Sequence, residues 1–127
     1  MSAQKDRLRV VVGGIGWITL VTGAVQVIAP AFVLRRIGGA EPKGSVHLFG
    51  TVGFFMVVVG GLLARTVSRP VPDPDVIAWS TVQKIGATTA MSIGVARGVF
   101  SPVALLVAAF DGACAALLVA YRIRRKP

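Results

Sequence analysis

The hydrophobic residues of this chain fall into four long blocks that short polar segments separate. A helix needs roughly 20 mostly apolar residues to cross a bilayer, and each block is close to that length. Four apolar runs cannot close a barrel, and open sheet edges are not tolerated in lipid, so the pattern predicts helices. The predicted spans cover about residues 9–34, 46–64, 76–97 and 103–121.

The polar segments carry residues that begin or interrupt helices. Pro30 lies inside the first block, and proline in a helix interior predicts a kink. Asp73 and Asp75 follow a proline-rich linker and are placed to cap the third helix. Ser101 and Pro102 are placed to cap and to start the fourth helix. The link before the fourth span is short, so the last two helices are predicted to be antiparallel neighbours.

These features predict an all-α fold with a single membrane domain over residues 1–127. Its architecture is predicted as an integral membrane four-helix bundle with up-down-up-down connections. Lysine and arginine are enriched on the cytoplasmic side of membrane proteins. With both termini in the cytoplasm, nine basic residues lie on the inner side and four on the outer side. We therefore expect a multi-pass protein of the inner cell membrane, N-in and C-in.

Composition narrows the choice of partners. The 127 residues are 54% hydrophobic and 15% charged, whereas a soluble domain carries about 25% charged residues. A net charge of +9 would suggest nucleic acid in a soluble protein. Here the basic residues flank the apolar blocks, which favours contact with anionic lipid headgroups. The expected partner is the lipid bilayer, and we expect no nucleic acid.

The supply of strong metal ligands is small. The chain has one cysteine, Cys114, which excludes an internal disulfide and a cysteine-based metal cage. It has one histidine, His47, whereas zinc and iron sites normally need three or four strong ligands. The sequence also lacks a nucleotide-binding loop and a redox motif. We therefore predict no metal and no cofactor.

Glycines of the first two spans recur with the same spacing. They match at a constant offset of 37 residues, as Gly13, Gly16 and Gly23 in the first span and Gly50, Gly53 and Gly60 in the second. This could be a faint internal repeat. The favoured interpretation is that both helices need small residues for close packing, which is common in membranes.

Asp111 is the one carboxylate inside the apolar blocks. A charge near the middle of a span costs about 2.5–3.5 kcal/mol on insertion scales, so it usually has a partner. Lys84 and Asp111 lie about eight and ten residues from the inner ends of their spans, which places them roughly 12 and 15 Å deep. These depths predict a Lys84–Asp111 pair with Gln83 beside it. Alternatively, Lys84 snorkels to the inner headgroups and leaves Asp111 protonated or hydrated.

A second polar cluster is predicted nearer the outer side, because residues three and four apart share a helix face. It would contain Gln26, His47 and Arg97, with Glu41 from the adjoining loop. His47 and Arg97 have a simpler interpretation as interfacial residues at the ends of spans. Trp17 likewise fits a packing or belt position.

The leading hypothesis is a buried polar site around Asp111 that binds a lipophilic small molecule, since helix bundles build such sites between their helices. If the protein is an enzyme, the candidate catalytic residues are Asp111, Lys84 and His47. They would supply acid/base chemistry for isomerisation, cyclisation or hydration of an isoprenoid, sterol or polyketide-like substrate. The candidate ligand contacts are Gln26, Gln83, Trp17, Phe54 and Arg97.

Two alternatives stay open. The Lys84–Asp111 pair could only lock two helices together in a non-catalytic assembly subunit of a membrane complex. Or a homo-oligomer could export small molecules with proton coupling through its membrane carboxylate. Length and span number are similar to those of the small multidrug resistance family, whose essential glutamate lies in the first helix, whereas this first span holds no acidic residue. The layout is also similar to that of DoxX-like membrane proteins.

Overall fold

The computed structural model describes residues 2–39 and 42–125, and this part of the chain forms five helices and no strand. The predicted all-α class is therefore confirmed. Glu41, expected in the second polar cluster, lies outside the described residues. The helices are α1 (Ser2–Ile28), α2 (Pro30–Arg36), α3 (Lys43–Ser68), α4 (Pro74–Ala96) and α5 (Ala104–Arg125).

The first predicted span is divided at the proline. α1 ends at Ile28, and α2 begins at Pro30 after Ala29, whose φ of −133° and ψ of 61° are not helical. Proline has no backbone N–H and its ring collides with the preceding turn, so the helix cannot pass through it undisturbed. The kink that the sequence predicts here is a break between two helices.

The structure confirms the predicted start of the third span's helix but not that of the fourth. Asp73 is the N-cap of α4, and its carboxylate accepts a hydrogen bond from the Asp75 backbone N–H at 2.9 Å, as the linker predicts. Pro102 does not start α5, which begins at Ala104 after a turn. The Ser101 hydroxyl instead donates to the Ile37 carbonyl at 3.3 Å, and so ties this turn to the end of α2.

α1 and α3 form the most extensive helix contact in the described structure. Their glycines meet in antiparallel register, with Gly16 opposite Gly60 and Gly23 opposite Gly53. A Cβ atom added to Gly60 would lie 2.6 Å from the Gly16 carbonyl oxygen, and one added to Gly23 would lie 2.6 Å from the Gly53 carbonyl oxygen. The backbones therefore approach as closely as small residues allow in membrane helices.

α4 and α5 form the second helix pair, which confirms that the last two helices are neighbours. The Thr88 hydroxyl on α4 donates to the Ala108 carbonyl on α5 at 3.0 Å. Nearer the start of α4, Ile77 shares a buried cluster with Leu118 of α5. Because a later residue of α4 meets an earlier residue of α5, the two helices are antiparallel, as the short link predicts.

Two apolar clusters hold opposite ends of the molecule. One joins the first half of α1, the end of α3, the start of α4 and the end of α5 through Val12, Ile15, Leu63, Val67, Ile77, Cys114, Leu118 and Tyr121. The other is built on Leu34, Ile37 and Ala104. Since α1, α3, α4 and α5 connect these ends in turn, the long helices alternate in direction. Buried polar side chains lie between the two clusters.

Three of the helices are long and apolar enough to cross a membrane, namely the parts Arg7–Ile28, Lys43–Ser68 and Ala104–Arg124. The predicted third span is not among them. α4 has 23 residues, but polar side chains such as Gln83, Lys84 and Thr88 dilute its apolar ones. Large apolar side chains cover much of the outer surface, and contiguous exposed patches of this kind mark contact with a membrane or a partner.

Candidate functional site

The centre of the molecule holds a buried ion pair between α4 and α5. The Lys84 ammonium nitrogen lies 3.2 Å from Oδ1 of Asp111 and donates a hydrogen bond to it. Lys84 is 3% exposed and Asp111 is 9% exposed. The predicted pair is therefore present, and Lys84 does not extend toward either end of the molecule. The antiparallel contact of α4 with α5 brings the two residues to one level.

Thr19 of α1 completes this polar centre. Its hydroxyl oxygen accepts a second hydrogen bond from the Lys84 ammonium group at 2.8 Å, and its side chain is as buried as that of Lys84. The ammonium group thus connects three helices. Thr19 lies on the same face of the first span as Gly16 and Gly23, so spacing indicates a packed position, but nothing in the sequence assigns it to Lys84.

Burial makes this arrangement sensitive to any change in either charge. Removing two charges from water is costly, and their attraction offsets that cost only with good geometry and further hydrogen bonds. The Thr19 hydroxyl supplies one such hydrogen bond to Lys84. The chemistry available at the site is a carboxylate that can accept or donate a proton and an ammonium group that can stabilise negative charge.

An open cleft of about 280 Å³ reaches the polar centre. The polar residues that line it are Thr19, Thr22, Lys84 and Asp111, and almost all of its surface is apolar. The cleft opens on the outer surface, because Leu106 on its wall is 73% exposed. Its other apolar lining residues are Ile18, Met56, Val107 and Phe110.

The cleft follows from the way the helices pair. α1 packs closely on α3, and α4 packs on α5, whereas the contacts between the two pairs are less extensive. The cleft lies where α1 faces α5, with Met56 of α3 also on its wall. These apolar lining residues could not be predicted from the sequence. An apolar residue that lines a cleft and one that faces lipid occur in the same sequence patterns.

The two candidate glutamines have different surroundings. Gln26 is buried between α1 and α3, where its amide nitrogen donates to the Phe49 carbonyl at 2.8 Å. Gln83 is half-buried next to Lys84 in the chain, and its Oε1 is buried without a hydrogen-bond partner in the described structure. Neither glutamine lines the cleft at Asp111. The packing of α1 on α3 therefore accounts for Gln26, while nothing in the structure accounts for the unpaired Gln83 oxygen.

The other candidate residues point outward. Trp17 is 61% exposed and Phe54 is 56% exposed. His47, near the start of α3, and Arg97, just after α4, are also exposed. None of these four side chains lines the cleft, and the structure does not bring His47 to Asp111 or Lys84. Their surroundings fit the interfacial and belt interpretations that the sequence also allows.

The described residues contain no group of three or more His, Cys, Asp or Glu side chains that could hold a metal ion. Cys114 is a buried free thiol in the apolar cluster at the start of α1 and the end of α5. Its neighbours in that cluster are aliphatic side chains and Tyr121, so its role there is packing.

Comparisons with known proteins do not assign a function, so a functional proposal has to rest on the geometry of the site. No protein-family model, curated protein or solved structure matches this chain.

Proposed function

We propose that this protein is a membrane-embedded four-helix bundle that binds a lipophilic small molecule in the cleft beside Lys84 and Asp111. The observation that carries the proposal is that an apolar cleft of about 280 Å³, open on the outer surface, ends at a buried ion pair. Small-molecule sites are mostly apolar concavities with a few placed polar groups. In a bilayer, this opening would face the acyl chains, from which a lipophile could enter directly.

Membrane insertion of α4 as a fourth span is part of the proposal. Its most polar residue, Lys84, is buried against α1 and α5, and Ser80 is buried as well. The exposed positions on α4 include Trp79, Val82 and Ile85. Because charged residues in spans normally face the bundle interior, this distribution suits a polar helix that crosses the bilayer among apolar partners.

Reporter fusions test the proposed topology. With four spans and both termini in the cytoplasm, alkaline phosphatase, which is active only after export, should be active when fused within residues 97–103 and inactive at the C-terminus. A fluorescent protein that matures only in the cytoplasm should give the opposite pattern. If α4 does not cross, the chain has three spans, and the pattern at these two positions is reversed. That outcome would overturn the four-span arrangement.

Acid/base chemistry on the bound molecule is the catalytic form of the proposal. Asp111 would take up or deliver a proton at the end of the cleft, while Lys84 stabilised negative charge that developed beside it. Isomerisation and cyclisation need only such proton transfers, whereas hydration also consumes a water molecule, whose oxygen bonds to one carbon of the double bond while the other carbon takes up a proton. His47 is exposed and away from the cleft, so this form assigns the chemistry to Asp111 and Lys84 alone.

Retention of a ligand through purification tests the binding site. We expect the wild type, isolated in a mild detergent, to carry a small molecule that native mass spectrometry and organic extraction both detect. Asp111→Asn should retain at least about tenfold less, because a hydrogen bond to a charged group contributes about 1.5–3 kcal/mol. Val107→Phe should also lose the ligand, because it narrows the cleft without altering a polar group.

A matched substitution controls for damage to the fold. Val58 on α3 is 43% exposed, against 40% for Val107, and it does not line the cleft. Val58→Phe should therefore retain the ligand at the wild-type level. An empty wild type, or equal loading of all four proteins, would contradict the proposed site.

A second candidate function has its own supporting observation. The Lys84 ammonium group already donates to Thr19 and to Asp111, and thereby holds α1, α4 and α5 together. Such a connection is what an assembly subunit needs to keep its helices in register. In that case the wild type carries no ligand, and native mass spectrometry of the gently solubilised protein shows it bound to a partner or to further copies of itself.

A further inference from the structure

Resting on the proposed function, we infer that the cleft selects a neutral lipophile bearing a hydroxyl group, in preference to an anion or a cation of the same shape. The inference comes from the charge balance and the unused hydrogen-bonding capacity of the polar centre. Lys84 and Asp111 are the charged residues that line the cleft, and they have opposite signs.

The charge balance opposes an ionised ligand. The lysine and the aspartate compensate each other across 3.2 Å, and their side chains are only 4% and 12% exposed. A carboxylate placed beside them would compete with Asp111 for Lys84, and an ammonium group would compete with Lys84 for Asp111. Either leaves one buried charge without a partner, which is costly in apolar surroundings. A neutral group leaves the pair intact.

The hydrogen-bonding capacity favours a hydroxyl group. A lysine ammonium group has three donors, and in the described structure Lys84 uses two of them, one on Thr19 and one on a single carboxylate oxygen of Asp111. The other oxygen of Asp111 takes part in no hydrogen bond in the same part of the chain. A hydroxyl group can accept a hydrogen bond from Lys84 and donate one to Asp111 at the same time. Both residues line the cleft.

The dimensions of the cleft limit the rest of the molecule. An apolar cavity of roughly 150 Å³ holds a benzene ring, so about 280 Å³ has room for a two-ring system or a flexible chain of similar volume. Leu106 lines the wall and is 73% exposed, so a longer hydrocarbon tail could extend past it into the lipid. The expected ligand class is therefore a lipophilic alcohol or phenol.

A matched series of probes tests this selectivity. Naphthylmethanol, methylnaphthalene, naphthoate and naphthylmethylammonium share one ring system and differ in their polar group. Their binding to the full-length protein in nanodiscs is measured at neutral pH by ligand-observed NMR. Nanodiscs containing the Val107→Phe variant give the background from partitioning into lipid.

In the wild type, the alcohol should bind at least about tenfold more tightly than the hydrocarbon, the anion and the cation. Asp111→Asn removes the negative charge and leaves Lys84 uncompensated, so this variant should instead prefer naphthoate. If all four probes bind the wild type no better than Val107→Phe, the proposed site itself fails. If they bind above that background but an ion binds most tightly, only the inferred ligand class is overturned.

Discussion

Replacing Gly60 by alanine is expected to lower the free energy of unfolding by about 3 kcal/mol, although alanine is the better helix former by about 1 kcal/mol. The added Cβ atom would lie 2.5 Å from the Leu20 backbone nitrogen and 2.6 Å from the Gly16 carbonyl oxygen. Backbone atoms cannot rotate away as a side chain can, so α1 and α3 must separate. Overpacking typically costs about 1–3 kcal/mol, and this contact belongs at the upper end of that range.

Unfolding in mixed micelles, followed by circular dichroism as a denaturing detergent is added, measures this change. Gly14→Ala is the matched control, because Gly14 lies in α1 and a Cβ atom there would meet nothing within 4 Å. The control should be as stable as the wild type or slightly more so. Equal stability of Gly60→Ala and Gly14→Ala would refute the close α1–α3 contact.

The same contact bears on the constant glycine offset in the sequence. That offset pairs Gly16 with Gly53 and Gly23 with Gly60, in parallel order. The structure pairs Gly16 with Gly60 and Gly23 with Gly53, because the helices run in opposite directions. Four of the six glycines thus act at an antiparallel contact, which supports the packing interpretation.

The helical class, one helix break and the matching levels of Lys84 and Asp111 could be predicted from the sequence, because each depends on local residue types or on distance along the chain. Proline at position 30 and aspartate at position 73 mark a break and a helix start through local sterics and hydrogen bonding. The Lys84–Asp111 pair follows from counting residues from the ends of neighbouring helices. None of these inferences requires the rotation of one helix relative to another.

The sequence does not determine how each helix is rotated about its own axis, and several side-chain contacts could not be predicted for this reason. A three-to-four spacing shows which residues share a face, but not which neighbouring helix that face meets. Thr19 therefore had no assigned partner, although it contacts Lys84. Trp17 and Phe54 follow a glycine in each of two helices, yet both turn outward in the structure.

The cleft could not be predicted for a related reason. It depends on how far two helix pairs separate, which is a property of the whole assembly. Its apolar lining, including Ile18 and Phe110, is composed like the outer surface. The polar centre could be proposed from sequence, whereas access to it could not.

Removing one member of the buried pair is expected to destabilise the protein more than removing both. Asp111→Leu and Lys84→Met should each lower the free energy of unfolding by about 3–5 kcal/mol, because each leaves a buried charge without its partner. The double variant should be about as stable as the wild type, since replacing a buried ion pair by apolar residues is often neutral or stabilising. Thr19 can then direct its hydroxyl to its own helix backbone.

A double-mutant cycle, measured by the same unfolding titration, gives the coupling between Lys84 and Asp111. Arg97→Met is the control for loss of a cation, because Arg97 is exposed, and its effect should be small. If the double variant loses as much stability as the two single variants together, the charges are not coupled and the polar centre is misassigned. A stable double variant would instead show that folding does not need the pair. If that stable double variant no longer retains the small molecule, the ion pair is needed for ligand binding and not for folding.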